Sequence, residues 1–205
     1  MGYTIAAMEN EIKDKPAENP KKTRRFGDTA VQKICIISIL TALMCVLSPI
    51  SIPIEPVAIT LATLALYIIG AIFPAKISCP IILVYLLLGL IGMPFFSKFQ
   101  GGPQVLFGPT GGYLIGYIPC VLIESLLIGK FKNKIWMYPI AMVLGTIVLY
   151  ALGTGWFLIY GNGKYDLAKA LMLCVVPFLL GDSIKIAAAT LMGFRLRKFV
   201  SRQME

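Results

Sequence analysis

What most limits the fold of this chain is a succession of apolar blocks between residues 33 and 194, each of about membrane-spanning length. They run at about 33–48, 57–73, 79–95, 110–128, 135–152 and 168–194. A membrane helix takes about 20 apolar residues, with ~17 at the short end, and short helices of this kind suit a compact bundle. The expected fold is an all-α integral membrane protein with six transmembrane helices, its outer layer completed by structured Gly/Pro-rich loops. Charge supports that class, since only 14% of residues are charged against about 25% in soluble domains.

The basic residues orient the bundle. The N-terminal tail, Lys76, the Lys130, Lys132 and Lys134 connection, and the Arg195, Arg197, Lys198 and Arg202 tail fall on one side. Lys98, Lys164 and Lys169 fall on the other. The basic excess marks the cytoplasmic side, so both termini are expected in the cytoplasm of a multi-pass cell-membrane protein. The connections 48–56, 94–110 and 153–167 then face outward. Tyr160 and Tyr165 suit an outer interfacial belt, as Trp136 and Tyr138 suit an inner one. The net charge of +9 is therefore a topology signal, and no nucleic-acid partner is expected. Residues 1–28 are polar and of mixed charge, with Pro16 and Pro20, and read as a disordered cytoplasmic tail. Residues 29–199 form the membrane domain, and 200–205 a cytoplasmic C-terminal tail.

Several chemistries are excluded at once. Histidine is absent, which removes the commonest general base and metal ligand. Cys35, Cys45, Cys79, Cys120 and Cys174 form no CxxC pair and lie in or beside apolar runs, so they read as buried small hydrophobes. No GxxxxGK[ST] loop is present, so energy from ATP would have to come through a partner. No enzyme activity, metal or cofactor is expected.

Residues 100–116, QGGPQVLFGPTGGYLIG, interrupt the blocks. Gly101, Gly102, Gly108, Gly111 and Gly112, with Pro103 and Pro109, break regular structure repeatedly. The stretch is nonetheless poor in charge, and Val105, Leu106, Phe107 and Tyr113 give it apolar surface. Irregular backbone beside a membrane is tolerated inside protein or against a cavity. A plain turn needs only about 2–6 residues. This one is far longer, and its glycines let main chain approach a ligand closely.

The last block carries Asp182 and Lys185, which share a helix face at a spacing of three. Each charge alone at the centre of a membrane helix costs about 2.5–3.5 kcal/mol, and such residues mark functional sites by default. The pair could also neutralise itself and simply hold helices together. Glu124 lies about a turn from Lys130 and could snorkel toward the interface. Ser38 and Ala42 make a small-xxx-small pattern that lets another helix approach.

Gly108-Pro109-Thr110-Gly111-Gly112-Tyr113-Leu114, preceded by Gly101-Gly102 and by Gly89-Leu90-Ile91-Gly92-Met93-Pro94, resembles the signature of the BioY family. These are biotin-binding S components of energy-coupling-factor (ECF) transporters. The likeness covers about 33–199 and includes Thr60-Leu61-Ala62-Thr63-Leu64 and Gly181-Asp182-Ser183-Ile184-Lys185. It implies a subunit that binds biotin from outside and works with a membrane-embedded coupling protein and two cytoplasmic ATPases. It also implies that the Ser38 and Ala42 face packs on the coupling subunit. Two departures stand out. The family's second helix commonly begins Pro-x-Thr-Leu-Gln, where this chain has Ala58-Ile59-Thr60-Leu61-Ala62, so any contact made by that glutamine is missing. Gln100, in Ser97-Lys98-Phe99-Gln100, aligns with a ligand-contacting amide of some relatives.

Biotin would then find an acceptor in Asp182, a donor and counter-charge in Lys185, and both functions in Gln100. The Gly101 and Gly102 backbone would make close contacts, with Tyr113 and Phe107 as apolar walls. The valerate carboxylate could meet loop N–H groups or Lys98. The alternatives are an S component for another vitamin or small metabolite, a channel built on Thr110-Gly111-Gly112-Tyr113, or an intramembrane hydrolase using Asp182 with Glu124. A channel filter needs four-fold carbonyl rings, and an ionised pair inside six spans fits it poorly.

Overall fold

The computed structural model describes residues 29–52, 57–131, 134–162 and 166–204, with side chains as far as Val200. The expected 1–28 tail, Lys132, Lys164 and Tyr165 lie outside these residues. Along the chain come α1 (Ala30–Leu47), a ribbon of β1 (Ser51–Ile52) and β2 (Ile59–Thr60), α2 (Ala62–Ile72) and α3 (Ala75–Leu90). A 3-10 turn at Ser97–Phe99 and the single turn α4 (Pro103–Leu106) follow. The long helices α5 (Gly111–Lys130) and α6 (Met137–Tyr160), then α7 (Leu167–Cys174) and α8 (Val176–Met204), complete it.

Four stretches among the described residues are long and apolar enough to cross a membrane: Ala30–Leu47, Gly111–Lys130, Met137–Tyr160 and Leu167–Val200. The helices Ala62–Ile72 and Ala75–Leu90 are apolar but shorter. The chain is thus a multi-pass helical membrane protein, in which two of the expected spans are shorter helices.

The shortest of them occupies the centre. Eight of the eleven residues of α2 are buried, among them Ala65, Leu66, Tyr67 and Gly70. A helix surrounded by protein can end early if its free backbone groups find partners there, and those of α2 do. At its start, the Leu61 N–H donates to the Ile50 carbonyl at 3.0 Å. At its end, the Arg197 guanidinium donates to the Ala71 carbonyl at 2.8 Å, and the Ser78 hydroxyl lies 3.3 Å from the Ile69 carbonyl and 3.0 Å from that of Phe73. Arg197, one of the basic residues that orient the bundle, is accordingly buried in α8.

Two other block boundaries move for local reasons. The fifth expected block ends at 152, but α6 runs on to Tyr160 through Gly153, Thr154 and Gly155. Gly153 and Thr154 are buried; a Cβ at Gly153 would collide with the Tyr113 ring, as one at Gly112 would with Trp156. The α5–α6 seam is built on such exchanges of glycine for aromatic. The sixth block breaks at Val175 (φ −123°), immediately before Val176 and Pro177. Proline cannot donate to the carbonyl four residues back and its ring crowds that carbonyl, so α7 stops and α8 restarts on Phe178 and Leu179 N–H bonds to the Val175 carbonyl. On the other flank, α1 packs on α3 through a Thr41 hydroxyl bond to the Ile81 carbonyl at 3.4 Å. It leaves Val31, Ile34, Ile39, Leu43 and Val46 exposed, as a helix facing lipid or a partner should.

Candidate ligand-binding site

The ribbon and the 94–110 segment roof one end of the bundle. The Lys98 N–H donates to the Ser51 hydroxyl at 3.3 Å, which ties the two together. Lys98 and Phe99 both take left-handed backbone (φ 58° and 56°), a conformation that costs L side chains energy and is kept only where surroundings hold it. Gly102, at φ +97°, donates its N–H to the Gly89 carbonyl at 2.7 Å. A Cβ at Gly101 would collide with the Met93 carbonyl. These two glycines therefore let the 100–102 strand press against the end of α3.

Under this roof lies a cavity of about 600 Å³, counting its open mouth. Phe96, Tyr113, Tyr117, Leu149 and Phe178 supply apolar wall, while Thr63, Tyr150, Asp182 and Lys185 supply polar groups. The walls come from the roof, α2, α5, α6 and α8. A wider outer cavity of about 900 Å³ is lined by Lys98, Gln100, Gly101 and Gln104. Ala58, Ser97, Val105 and Thr110 line both cavities and so form the rim between vestibule and chamber.

The polar floor is organised on Asp182, a buried side chain. Its Oδ1 accepts from the Lys185 ammonium at 3.0 Å and lies 3.3 Å from the Thr63 hydroxyl. Its Oδ2 accepts from the Tyr150 hydroxyl at 2.6 Å. Lys185 also donates to the Thr60 carbonyl at 2.8 Å and to the Thr63 hydroxyl at 2.9 Å. An ammonium has three N–H bonds, and here all three go to protein. Thr60 can accept because the chain has not yet entered α2 at that point, so its carbonyl is not consumed by a helical turn. Low-dielectric surroundings make such a satisfied network rigid, and an unpaired member costly.

The structure brings Asp182, Lys185 and Tyr113 to the chamber, with Gln100 and Gly101 one level out in the vestibule. Gly102 lines neither cavity. Tyr113 is held by its hydroxyl, which meets Thr154 at 3.2 Å and donates to the Cys174 carbonyl at 3.3 Å. Phe107 is exposed, and its expected wall position is filled by Phe96 and Phe178 instead. Glu124 does not snorkel: it is fully buried and lines neither cavity, so the second carboxylate of a hydrolase is not offered there. Ser38 and Ala42 are both exposed on α1. Tyr150, Tyr117, Thr63 and Phe178 were not singled out from sequence, because an aromatic or threonine inside an apolar helix looks like ordinary core.

The sequence model of the BioY family matches residues 17–202. A biotin transporter BioY of Thermotoga maritima is 39% identical over 160 residues, 78% of this chain and 92% of that one. Biotin transporter BioY2 of Lactococcus lactis subsp. cremoris is 33% identical over 174 residues, 85% of this chain and 94% of that one. Among solved structures, a 2.1 Å crystal structure of the S-component for biotin from an ECF-type ABC transporter matches with a TM-score of 0.75 at 25% identity. That match covers 85% of this chain and 96% of the other.

Proposed function

This chain belongs to the BioY family, and on that premise we propose that it is the substrate-binding subunit of a biotin uptake transporter. The observation that carries the reading is the Asp182–Lys185 pair at the floor of a roofed apolar chamber. An intramembrane charge pair is costly, and this one, besides joining α8 to the start of α2, lines a chamber. Biotin offers a ureido ring with two N–H donors and a carbonyl, an apolar thioether ring and a carboxylate. The ureido end enters the chamber, where the Asp182 carboxylate accepts an N–H and Lys185 balances its charge. Tyr113 packs as wall. Gln100 and the Gly101 backbone shape the outer passage, with Lys98 available to an anion there.

Biotin is captured from outside and delivered to the cytoplasm, with the loops of 48–56 and 94–110 outward and both termini in the cytoplasm of the cell membrane. ATP is hydrolysed by partners, a transmembrane coupling subunit with two cytoplasmic ATPase subunits. Ser38 and Ala42 on the exposed face of α1 supply close contact for the coupling subunit. Titration of biotin into purified, monodisperse protein tests the reading, together with mass spectrometry of any ligand carried through purification. Saturable binding at one site per chain is expected. A chain that binds no biotin yet carries another vitamin would replace the substrate and keep the subunit role.

A further inference from the structure

We propose that Tyr150 is the positioning residue of the ligand site: it acts through Asp182, turning one carboxylate oxygen into the chamber's free acceptor. The inference rests on the biotin-binding reading and adds to it a residue and a division of labour. It begins with hydrogen-bond capacity. Lys185 has three N–H bonds, and the Thr60 carbonyl, the Thr63 hydroxyl and Asp182 Oδ1 take them at 2.8, 2.9 and 3.0 Å. The cation therefore has no donor left for a ligand and serves as a counter-charge clamped to the protein. Asp182 Oδ1 is crowded as well, with the ammonium at 3.0 Å and the Thr63 hydroxyl at 3.3 Å.

Oδ2 has a different environment. Its partner is the Tyr150 hydroxyl at 2.6 Å, and an ionised carboxylate oxygen accepts about two bonds. Among the described residues, one lone pair of Oδ2 is thus uncommitted. The single O–H of Tyr150 is spent on Oδ2, so the phenol oxygen can offer the chamber only acceptor capacity. Tyr150 is itself fixed, its ring packed edge-on against Phe178 with centroids 6.5 Å apart, and both rings line the chamber. The open capacity of the floor is consequently that of an acceptor, which selects ligands with an N–H, as a cyclic urea has. Without the tyrosine hydroxyl, Asp182 would keep its tether to Lys185 and lose the bond that sets where Oδ2 points.

A double-substitution cycle tests this, with biotin as the titrant. Tyr150→Phe keeps the ring against Phe178 and removes only the hydroxyl. It should weaken biotin about tenfold, as expected for a charge-assisted hydrogen bond, while the ligand-free melting temperature falls by only a few degrees, the effect of that one bond on the fold. In an Asp182→Asn background the same substitution should cost less than about threefold, because the bond it removes is then neutral. Unchanged affinity in Tyr150→Phe, or an equal loss in both backgrounds, would overturn the assignment. So would a large fall in ligand-free melting temperature, which would make the hydroxyl a fold-holding group. Absence of biotin binding by the parent protein would instead remove the biotin reading, a separate outcome read before any variant is made.

Discussion

Glu124 on α5 occupies the space that Gly70 on α2 leaves by lacking a side chain: a Cβ at Gly70 would collide with Glu124 Oε2. The opposite side is tight but less closed, since a Cβ at Gly145 of α6 would stand 3.0 Å from Cys120 Sγ and 3.2 Å from Glu124 Oε1. The carboxyl is thus held between two glycine notches on neighbouring helices. Cys120 donates to Oε1 at 3.4 Å, and Oε2 has no hydrogen-bond partner among the described residues.

The first prediction follows from that notch. Gly70→Ala should destabilise the bundle by about 1–3 kcal/mol, the usual cost of overpacking, because Glu124 has no room to withdraw. Gly70→Ala with Glu124→Ala should recover stability relative to Gly70→Ala alone, since the truncated side chain vacates the notch. Thermal unfolding in detergent of the single and double variants measures this. Additive losses would show that the two residues do not share the space.

Asp182 and Lys185 allow stability and binding to be separated. Lys185→Met leaves the Asp182 charge buried without its partner, and breaking a buried pair from one side costs about 3–5 kcal/mol. Asp182→Asn keeps one acceptor but loses charge assistance, so biotin affinity should fall roughly tenfold or more. Joining Asp182→Asn to Lys185→Met should restore much of the melting temperature and none of the affinity. Biotin titration and thermal unfolding on the same preparations read both quantities. A double variant that binds like the parent would leave the pair as a helix tether only.

How much of this was legible in the sequence differs between fold and site. Apolar block length identified the membrane class, and Gly108 to Leu114 with Asp182 and Lys185 carried the BioY resemblance, which the family match bears out. Block length failed where protein replaces lipid around a helix. The 57–73 block holds β2 and the eleven-residue α2, whose ends are satisfied by Ile50 and Ser78 nearby and by Arg197, 126 residues away. Glycine misled at 153, where it serves packing with Tyr113 inside α6 rather than a loop. In the site, ionisable residues announce themselves by their cost in an apolar run. Tyr150 and Thr63 do not, since their roles exist only once Asp182 is brought beside them over 32 and 119 residues of chain.

Orientation is tested by labelling. The positive-inside pattern predicts that residue 164 faces outward and residue 132 the cytoplasm. In a background with all five native cysteines replaced, a cysteine at 164 should react with an impermeant maleimide in intact cells, and one at 132 only after lysis. The reverse pattern would invert the bundle and place the roofed chamber on the cytoplasmic side.

The last prediction concerns α1, which leaves Val31, Ile34, Ile39, Leu43 and Val46 exposed. Ser38 and Ala42 are one turn apart and exposed, and Ile39 beside them is 68% exposed. Small residues at such spacing let two backbones approach, and the close contact is lost if a side chain stands between them. Ser38→Leu and Ala42→Leu should therefore reduce assembly with the coupling subunit and ATP-driven biotin uptake. Neither residue lines the ligand chamber, so biotin affinity of the isolated subunit in detergent should stay within about twofold of the parent, a difference under 0.5 kcal/mol. Co-purification with the coupling subunit, uptake by cells and detergent titration are measured on the same variants. A doubly substituted protein that still assembles fully would move the partner contact to another face, and a loss of affinity in detergent would show that α1 acts on the chamber instead.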